Sequence, residues 1–295
     1  MRRPAHRWLL LGAVFLGCVG FGLWTTALRR TAAALERGDL TTAAAIQNRL
    51  AWFHLDDADQ RYALARALVA EDRLDDAIAQ YQRALAREPR GEQWAALAAI
   101  HRGRGELEAA LAAWDRGFEL NRNRRYLHRA SEMLLKRGDR ERSFAYFERA
   151  LLVDPPSARV HAWIAAKAES MGLPRQQVHH LRAALGFDPS LFRLRQTLAW
   201  LLATQEDPQL RNSAEAVQLA EALVDESARR DAATLDLLAT ALASDGHFDE
   251  AVRVAAEARD RAERDGELEL AAKIRERLAL YRIGQVYREA APAPG

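Results

Sequence analysis

Residues 73–89 read RLDDAIAQYQRALAREP, and this stretch decides the fold. Ala77, Tyr81 and Ala84 are spaced by four and three residues, so they share one face of a helix. Pro89 then ends the helix, because proline lacks a backbone N–H and its ring clashes with the preceding turn. The apolar stripe is too narrow to fold alone. The sequence therefore predicts that this helix packs against neighbours of the same design.

The pattern around Ala77 recurs along the chain at a nearly constant interval. It consists of a small residue, an apolar or aromatic residue four positions later, and a small or apolar residue three positions after that. The first positions, here termed anchors, are Ala43, Ala77, Ala110, Ser143, Gln177, Ala216 and Ala251. Successive anchors are 34, 33, 33, 34, 39 and 35 residues apart. Such a period is typical of solenoid proteins, whose units bury their faces against one another.

The two later positions of the pattern are mostly small or apolar. Those four residues after the anchors are Gln47, Tyr81, Trp114, Phe147, Leu181, Ala220 and Ala255, and those seven after are Leu50, Ala84, Gly117, Ala150, Ala184, Leu223 and Ala258. Small residues let helices approach closely, and the larger ones fill the space between units. Gln47 and the anchor Gln177 are the misfits of the pattern.

A second amphipathic helix precedes most anchors, so each unit is predicted to be a helical hairpin. The turn inside the hairpin often carries a helix breaker: Gly38, Gly105, Gly138, Gly172 or Gly246. Pro89, Pro155 and Pro189 follow their anchors by twelve residues and are expected to close the second helices. We place the extra residues of the 39-residue interval in a loop over 205–212.

This arrangement resembles the tetratricopeptide repeat (TPR), a helix-turn-helix unit of about 34 residues. In residues 58–91, the family's small, aromatic, small and proline positions correspond to Ala77, Tyr81, Ala84 and Pro89. The resemblance covers roughly residues 27–265. It implies an all-α fold, a right-handed solenoid of about seven hairpins, and a role in binding other proteins through a concave groove.

The resemblance also implies which residues line the groove, namely repeat positions 2, 5, 9 and 12 of the first helices. In this chain they are Asp59, Tyr62, Arg66, Val69, Glu92, Ala95, Ala99, Arg102, Arg125, His128, Glu132, Leu135, Arg159, Ala162, Ala166, Glu169, Arg193, Gln196, Trp200 and Ala203. The expected contact residues are Tyr62, Arg66, Arg102, Arg125, His128, Arg159, Arg193, Gln196 and Trp200. This set predicts a protein partner with an acidic segment.

Composition and motifs argue against several other functions. The 43 basic and 41 acidic residues leave a net charge of +2, which gives no signal for nucleic-acid binding. The single cysteine, Cys18, excludes an internal disulfide and a cysteine-based zinc cluster. His179 and His180 are adjacent and point about 100° apart on a helix, so they do not form a metal pair. Without a nucleophile or phosphate-loop motif we expect no catalytic, cofactor or metal site, and an uncatalogued helical enzyme is the alternative.

The N-terminal stretch 8–28 is uncharged over 21 residues, long enough to cross a bilayer as a helix. Trp8 and Trp24 lie near its ends, where aromatic rings favour the interface. We interpret it as an uncleaved signal-anchor helix that continues into the first repeat. A cleaved signal peptide and a lipoprotein acylated at Cys18 are the alternatives.

These observations predict five segments: a basic terminus (1–7), a transmembrane helix (8–28), the solenoid (29–265), a capping helix (266–288) and a disordered tail (289–295). The function hypothesis is a non-enzymatic scaffold or assembly factor at a bacterial inner membrane. The solenoid is placed in the periplasm, with the cytoplasmic side as the alternative because arginines flank both ends of the anchor. A periplasmic lipoprotein or secreted TPR protein in envelope assembly or export is the rival hypothesis. Glycines in the anchor also raise the hypothesis of a homodimer.

Overall fold

The computed structural model describes the backbone of residues 5–227 and 231–289, and the side chains from residue 20 onward in those ranges. The described residues form fifteen α-helices and contain no strand, which confirms the predicted all-α class for them. The helices are α1 (Ala5–Glu36), α2 (Leu40–Ala51), α3 (Ala58–Ala70), α4 (Leu74–Arg87), α5 (Gly91–Gly103), α6 (Leu107–Asn121), α7 (Arg125–Lys136), α8 (Arg140–Leu151), α9 (Ala158–Ser170), α10 (Pro174–Phe187), α11 (Phe192–Thr204), α12 (Ser213–Glu226), α13 (Ala232–Ser244), α14 (Phe248–Arg264) and α15 (Leu268–Arg282).

The chain divides into unit 1, residues 1–139, and unit 2, residues 140–295. In unit 1 each helix from α1 to α7 packs against the next one along the chain. In unit 2 the helices α8 to α15 follow the same rule, and α11 and α15 also contact α13. Packing between sequence neighbours is the organisation that a repeat period predicts.

Each anchor residue is the fourth residue of its helix and is buried. The seven helices concerned are α2, α4, α6, α8, α10, α12 and α14, and the anchors expose between 0% and 5% of their surface. Because helices of equal phase present equal faces, this shared register explains why the small residues recur. The predicted repeat is therefore confirmed for the position and burial of its anchors.

Gln47, a misfit of the repeat pattern, has a structural role in unit 1. Its side chain is fully buried, and its amide nitrogen donates to Gln60 Oε1 at 2.8 Å and to Thr31 Oγ1 at 3.3 Å. Its Oε1 accepts a hydrogen bond from the backbone nitrogen of Asp57 at 3.1 Å. A buried amide is tolerated when its donors and acceptor are satisfied, and here the bonds link α1, α2 and the start of α3.

The hairpin turns have the backbone geometry that the glycines predict. Gly38, Gly105, Gly138, Gly172 and Gly246 all have positive φ, between 66° and 86°. Asp72 occupies the equivalent turn between α3 and α4 with a φ of 59°, a conformation that asparagine and aspartate tolerate better than most residues. The residues between α11 and α12 form the predicted loop over 205–212.

The predicted transmembrane segment belongs to α1, which continues as one helix into the first hairpin. The structure does not describe the side chains of residues 1–19. Most of the predicted transmembrane segment is among these residues and therefore lies outside the described part of the chain. Within the part of the chain that is described, no helix is long and apolar enough to cross a membrane.

The predicted capping helix over 266–288 is wrong at its C-terminal end, because α15 stops at Arg282. Gly284 adopts a φ of 67°, and the backbone nitrogen of Gln285 donates to the Leu280 carbonyl at 2.9 Å. A left-handed glycine closed by such a bond is a common helix terminator. Residues 285–289 then continue without regular structure, and 290–295, the rest of the predicted tail, lie outside the described residues.

Candidate functional site

Tyr62 was predicted to face a partner, and the structure corrects this because the residue is only 2% exposed. Its hydroxyl donates to the Glu88 carbonyl at 2.5 Å, and its ring lies between Tyr81 and the Arg90 guanidinium. Burial raises the pKa of Tyr62 to about 12. Tyr62 therefore joins α3 to the end of α4 and offers a partner almost no surface.

The predicted cations of unit 1 are accessible. Arg66 on α3, Arg102 on α5 and Arg125 on α7 are exposed, at the register positions predicted for the groove. His128, one turn after Arg125, is half-buried, and burial lowers its pKa. This part of the candidate face thus offers three arginines on three successive first helices.

In unit 2 the predicted residues lie on α9 and α11. Arg159 is exposed, and its guanidinium lies 4.6 Å from the ring centroid of Trp163, itself 53% exposed. Arg193 is exposed, whereas Gln196 and Trp200 are half-buried. The pair of Arg159 and Trp163 forms a cation–π contact at the surface, of a kind frequent in binding faces.

Trp200 is half-buried because the residues after α15 cross it. Its Nε1 donates to Glu289 Oε2 at 2.6 Å, and its ring centroid lies 5.9 Å from that of Tyr287. The backbone nitrogen of Glu289 donates to the Thr204 carbonyl at 3.1 Å. An Arg288 guanidinium nitrogen donates to the Ala203 carbonyl at 2.8 Å. Residues 285–289, here termed the C-terminal segment, therefore bind the end of α11.

A buried ion pair lies beneath this contact. Arg277 on α15 donates to both carboxylate oxygens of Asp236 on α13, at 3.1 Å and 2.5 Å. The guanidinium carbon of Arg277 also lies 5.4 Å from the ring centroids of both Trp200 and Tyr287. Burial raises the pKa of Asp236, and the nearby Arg277 opposes that shift. Asp236 thus fixes a cation against Trp200 of α11 and Tyr287 of the C-terminal segment.

A cleft of about 420 Å³ opens beside Trp200. Its lining includes Glu169, Leu173, Gln177, Thr197, Trp200 and Glu289. Glu169 and Trp200 are two of the positions predicted to line the groove, and Gln177 is the misfit among the anchors. The cleft therefore combines the predicted face of α9 and α11 with the C-terminal segment.

Sequence reasoning missed the residues that position this site. A sequence signal exists for Asp236, because it is the one charged residue in the stretch ATLDLLATALA, residues 233–243. A lone carboxylate inside an apolar helix predicts a buried cationic partner. No sequence spacing points to Tyr287 or Glu289, which lie 87 and 89 positions after Trp200.

The histidines of unit 2 form a hydrogen-bonded pair and stacked contacts. His161 Nδ1 lies 3.0 Å from His180 Nδ1, and the two rings stack with centroids 5.3 Å apart. Burial lowers the pKa of His180 to about 4, so its ring is neutral near pH 7. Among the described residues, no group of three or more potential ligands is arranged to hold a metal ion.

Comparisons with known proteins place the chain beside solved repeat structures. No protein-family model and no curated protein matches it. YrrB, a TPR protein with an unusual peptide-binding site, matches 66% of this chain and 97% of its own at 16% identity, with a TM-score of 0.40. MamA from AMB-1 matches 57% and 92% at 20% identity, with a TM-score of 0.36. The TPR2AB domain of yeast Sti1, solved in a complex with pHSP90, matches 77% and 98% at 17% identity, with a TM-score of 0.36. These similar structures are TPR proteins, the family that the repeat pattern resembles.

Proposed function

We propose that this protein is a non-enzymatic scaffold, tethered to a bacterial inner membrane through residues 8–28, that binds an acidic segment of a protein partner. Its hairpins form a right-handed TPR solenoid on the periplasmic side, and its first helices present the binding groove. No cofactor or metal takes part in this function. A homodimer formed through the glycines of α1 is a further element of the proposal.

The observation that carries the proposal is the C-terminal segment on α11. Two carbonyls at the end of that helix accept hydrogen bonds from this segment, one from the Glu289 backbone nitrogen and one from the Arg288 guanidinium, and Trp200 donates to the Glu289 carboxylate. Capture of a peptide through main-chain hydrogen bonds and aromatic side chains is a recurring mode of protein recognition. Within the same unit, the exposed Arg159 of α9 and Arg193 of α11 add attraction for further acidic residues.

The test is affinity capture of the membrane-extracted full-length protein, beside the variant Arg66→Glu, Arg125→Glu, Arg159→Glu, Arg193→Glu. The control variant carries the same charge change on second helices: Arg83→Glu, Arg116→Glu, Arg253→Glu and Arg264→Glu. Proteins lost from the groove variant and retained by the control support binding on the predicted face. Equal retention by both variants contradicts it.

A second arm tests whether the C-terminal segment occupies a peptide site. Calorimetry is run with a synthetic peptide of residues 283–295 and a chain ending at Gly284. We expect the shortened chain to bind the peptide, the full chain to bind it more weakly, and Trp200→Ala to abolish binding. No binding to the shortened chain contradicts a peptide site on α11.

Membrane placement is tested separately. Mass analysis of the mature N-terminus distinguishes an intact anchor from cleavage or acylation at Cys18. Reporter fusions at the C-terminus distinguish the periplasmic side from the cytoplasmic side. Activity of a cytoplasm-dependent reporter contradicts the proposed topology.

A further inference from the structure

The turn between α2 and α3 presents large apolar side chains to the outside. Trp52 is 86% exposed, Phe53 74% and Leu55 44%. The turn is ordered by its own hydrogen bonds: the backbone nitrogen of Leu55 donates to the Leu50 carbonyl, and that of His54 to the Ala51 carbonyl, both at 3.0 Å. His54 takes the left-handed conformation, with a φ of 54°. The aromatic side chains thus project from a fixed turn.

This turn is bonded to α1 at the end of its uncharged stretch. Trp24 Nε1 donates to the Leu55 carbonyl at 2.8 Å, and the Phe21 and Trp24 rings lie 5.5 Å apart. Phe21 is 63% exposed and Leu23 is 68% exposed. The two rings of α1 and those of the turn bonded to Trp24 are here termed the aromatic patch: Phe21, Trp24, Trp52 and Phe53.

Basic residues accompany the aromatic patch. Arg29 and Arg30 follow the uncharged stretch on α1, and Arg49 lies in the last turn of α2. All three side chains are exposed. Tryptophan and phenylalanine beside arginine suit the boundary of a bilayer, where rings enter the headgroup region and cations meet anionic lipid.

We propose that the Trp52–Leu55 turn inserts into the headgroup region of an anionic bilayer, as a second membrane contact beside α1. This inference rests on the proposed membrane tether. If α1 leaves the bilayer near Trp24, the hydrogen bond to Leu55 sets the turn at the same depth. Two contacts at one surface hold the first hairpin at a fixed orientation to the membrane, which a single helix does not.

The test uses single-cysteine labelling of the full chain in vesicles of phosphatidylethanolamine and phosphatidylglycerol. Cys18 is the one native cysteine, so Cys18→Ser gives a cysteine-free background. Phe53→Cys carries a fluorophore at the turn, and Leu120→Cys carries the same fluorophore on an exposed position of α6. Both native side chains are exposed, so neither substitution removes core packing. A third sample is labelled at the native Cys18.

We expect lipids with a nitroxide near the headgroup to quench the Phe53→Cys label. We also expect iodide in the water to quench it several-fold less than the Leu120→Cys label. Equal iodide quenching of these two labels, with a protected Cys18 label, overturns the second contact and leaves the tether standing. An iodide-accessible Cys18 label overturns the tether itself. Iodide protection of the Phe53→Cys label without nitroxide quenching also overturns the inference, because a protein then covers the turn.

Discussion

Unit 1 buries the ion pair of Asp56 and Arg61, unit 2 buries that of Asp236 and Arg277, and the neighbours of the two arginines differ. Arg61 donates to Asp56 at 2.5 Å, to Gln80 Oε1 at 2.5 Å and to the Gln47 carbonyl at 2.8 Å. Its acceptors thus come from α2, from α4 and from Asp56, two residues before α3. Polar acceptors surround Arg61, which lies on α3 and links that helix to α2 and α4.

Arg277 has a different environment. Both hydrogen-bond acceptors that the described structure gives it belong to Asp236, and aromatic rings cover its guanidinium. One of those rings belongs to the C-terminal segment. The comparison shows that a buried Asp–Arg pair links helices in unit 1, whereas in unit 2 such a pair holds a cation against Trp200 and Tyr287.

The largest expected effect comes from removing the carboxylate of each pair. Asp236→Ala should lower the free energy of unfolding by about 3–5 kcal/mol, because a buried guanidinium is left without its counter-ion. Asp56→Ala should cost less, about 1.5–3 kcal/mol, because Arg61 keeps neutral acceptors. Urea denaturation followed by circular dichroism measures both.

The double variant Asp236→Leu, Arg277→Met is the control for this prediction. It removes both charges, so most of the lost stability should return. If Asp236→Ala and Asp56→Ala lowered the free energy of unfolding equally, the neutral acceptors around Arg61 would not compensate for the lost carboxylate, and this prediction would be wrong.

A smaller effect is expected at acid pH, in unit 2. The lowered pKa of His180, about 4, means that the folded state stays neutral while the unfolded histidine takes up a proton near its ordinary value of about 6.5. Stability is then complete above about pH 6.5 and is lost as the pH falls towards about 4, by at most about 3 kcal/mol. The urea midpoint measured between these pH values should show this slope.

His180→Gln should flatten that pH dependence, whereas His179→Gln, at an exposed neighbouring position, should retain it. A slope that persists in His180→Gln would assign the acid sensitivity to another group.

The smallest expected effect tests how closely helices approach in each unit. A Cβ at Gly117 would lie 2.9 Å from the Gly91 carbonyl oxygen and 3.1 Å from the Tyr126 ring, so Gly117→Ala should cost about 1–3 kcal/mol. Gly103→Ala is the matched control, because a Cβ there meets no atom within 4 Å. It should be neutral or stabilising by up to about 1 kcal/mol, since alanine favours helix.

In unit 2 the positions equivalent to Gly117 are the buried Ala150, Ala184, Leu223 and Ala258, none of which is a glycine. Ala184→Gly should cost about 1 kcal/mol through helix propensity alone. Thermal unfolding compares the three variants. A harmless Gly117→Ala would show that α5 and α6 separate without penalty.

The candidate site was only partly predictable from the sequence. The family resemblance placed Arg66, Arg102 and Arg125 at groove positions, and in the structure they are accessible on successive first helices. The same resemblance placed Tyr62 there, but the Glu88 carbonyl and the Arg90 guanidinium cover it. Whether a side chain at a given repeat position is exposed to solvent depends on which residues of the following hairpin contact it. The repeat pattern does not contain that information.

The sequence by itself determined the helices, their period and the buried anchor face, because each depends on residues three to seven positions apart. It also contained Gly284, a helix terminator whose local signal our expectation for the last helix overlooked. Only the tertiary structure decided that the C-terminal segment binds α11 and that the Trp52 turn joins Trp24. Those contacts link residues 89 and 31 positions apart, and such pairings follow from packing between helices. Local spacing specifies which face of a helix is apolar, whereas long-range packing decides what covers it.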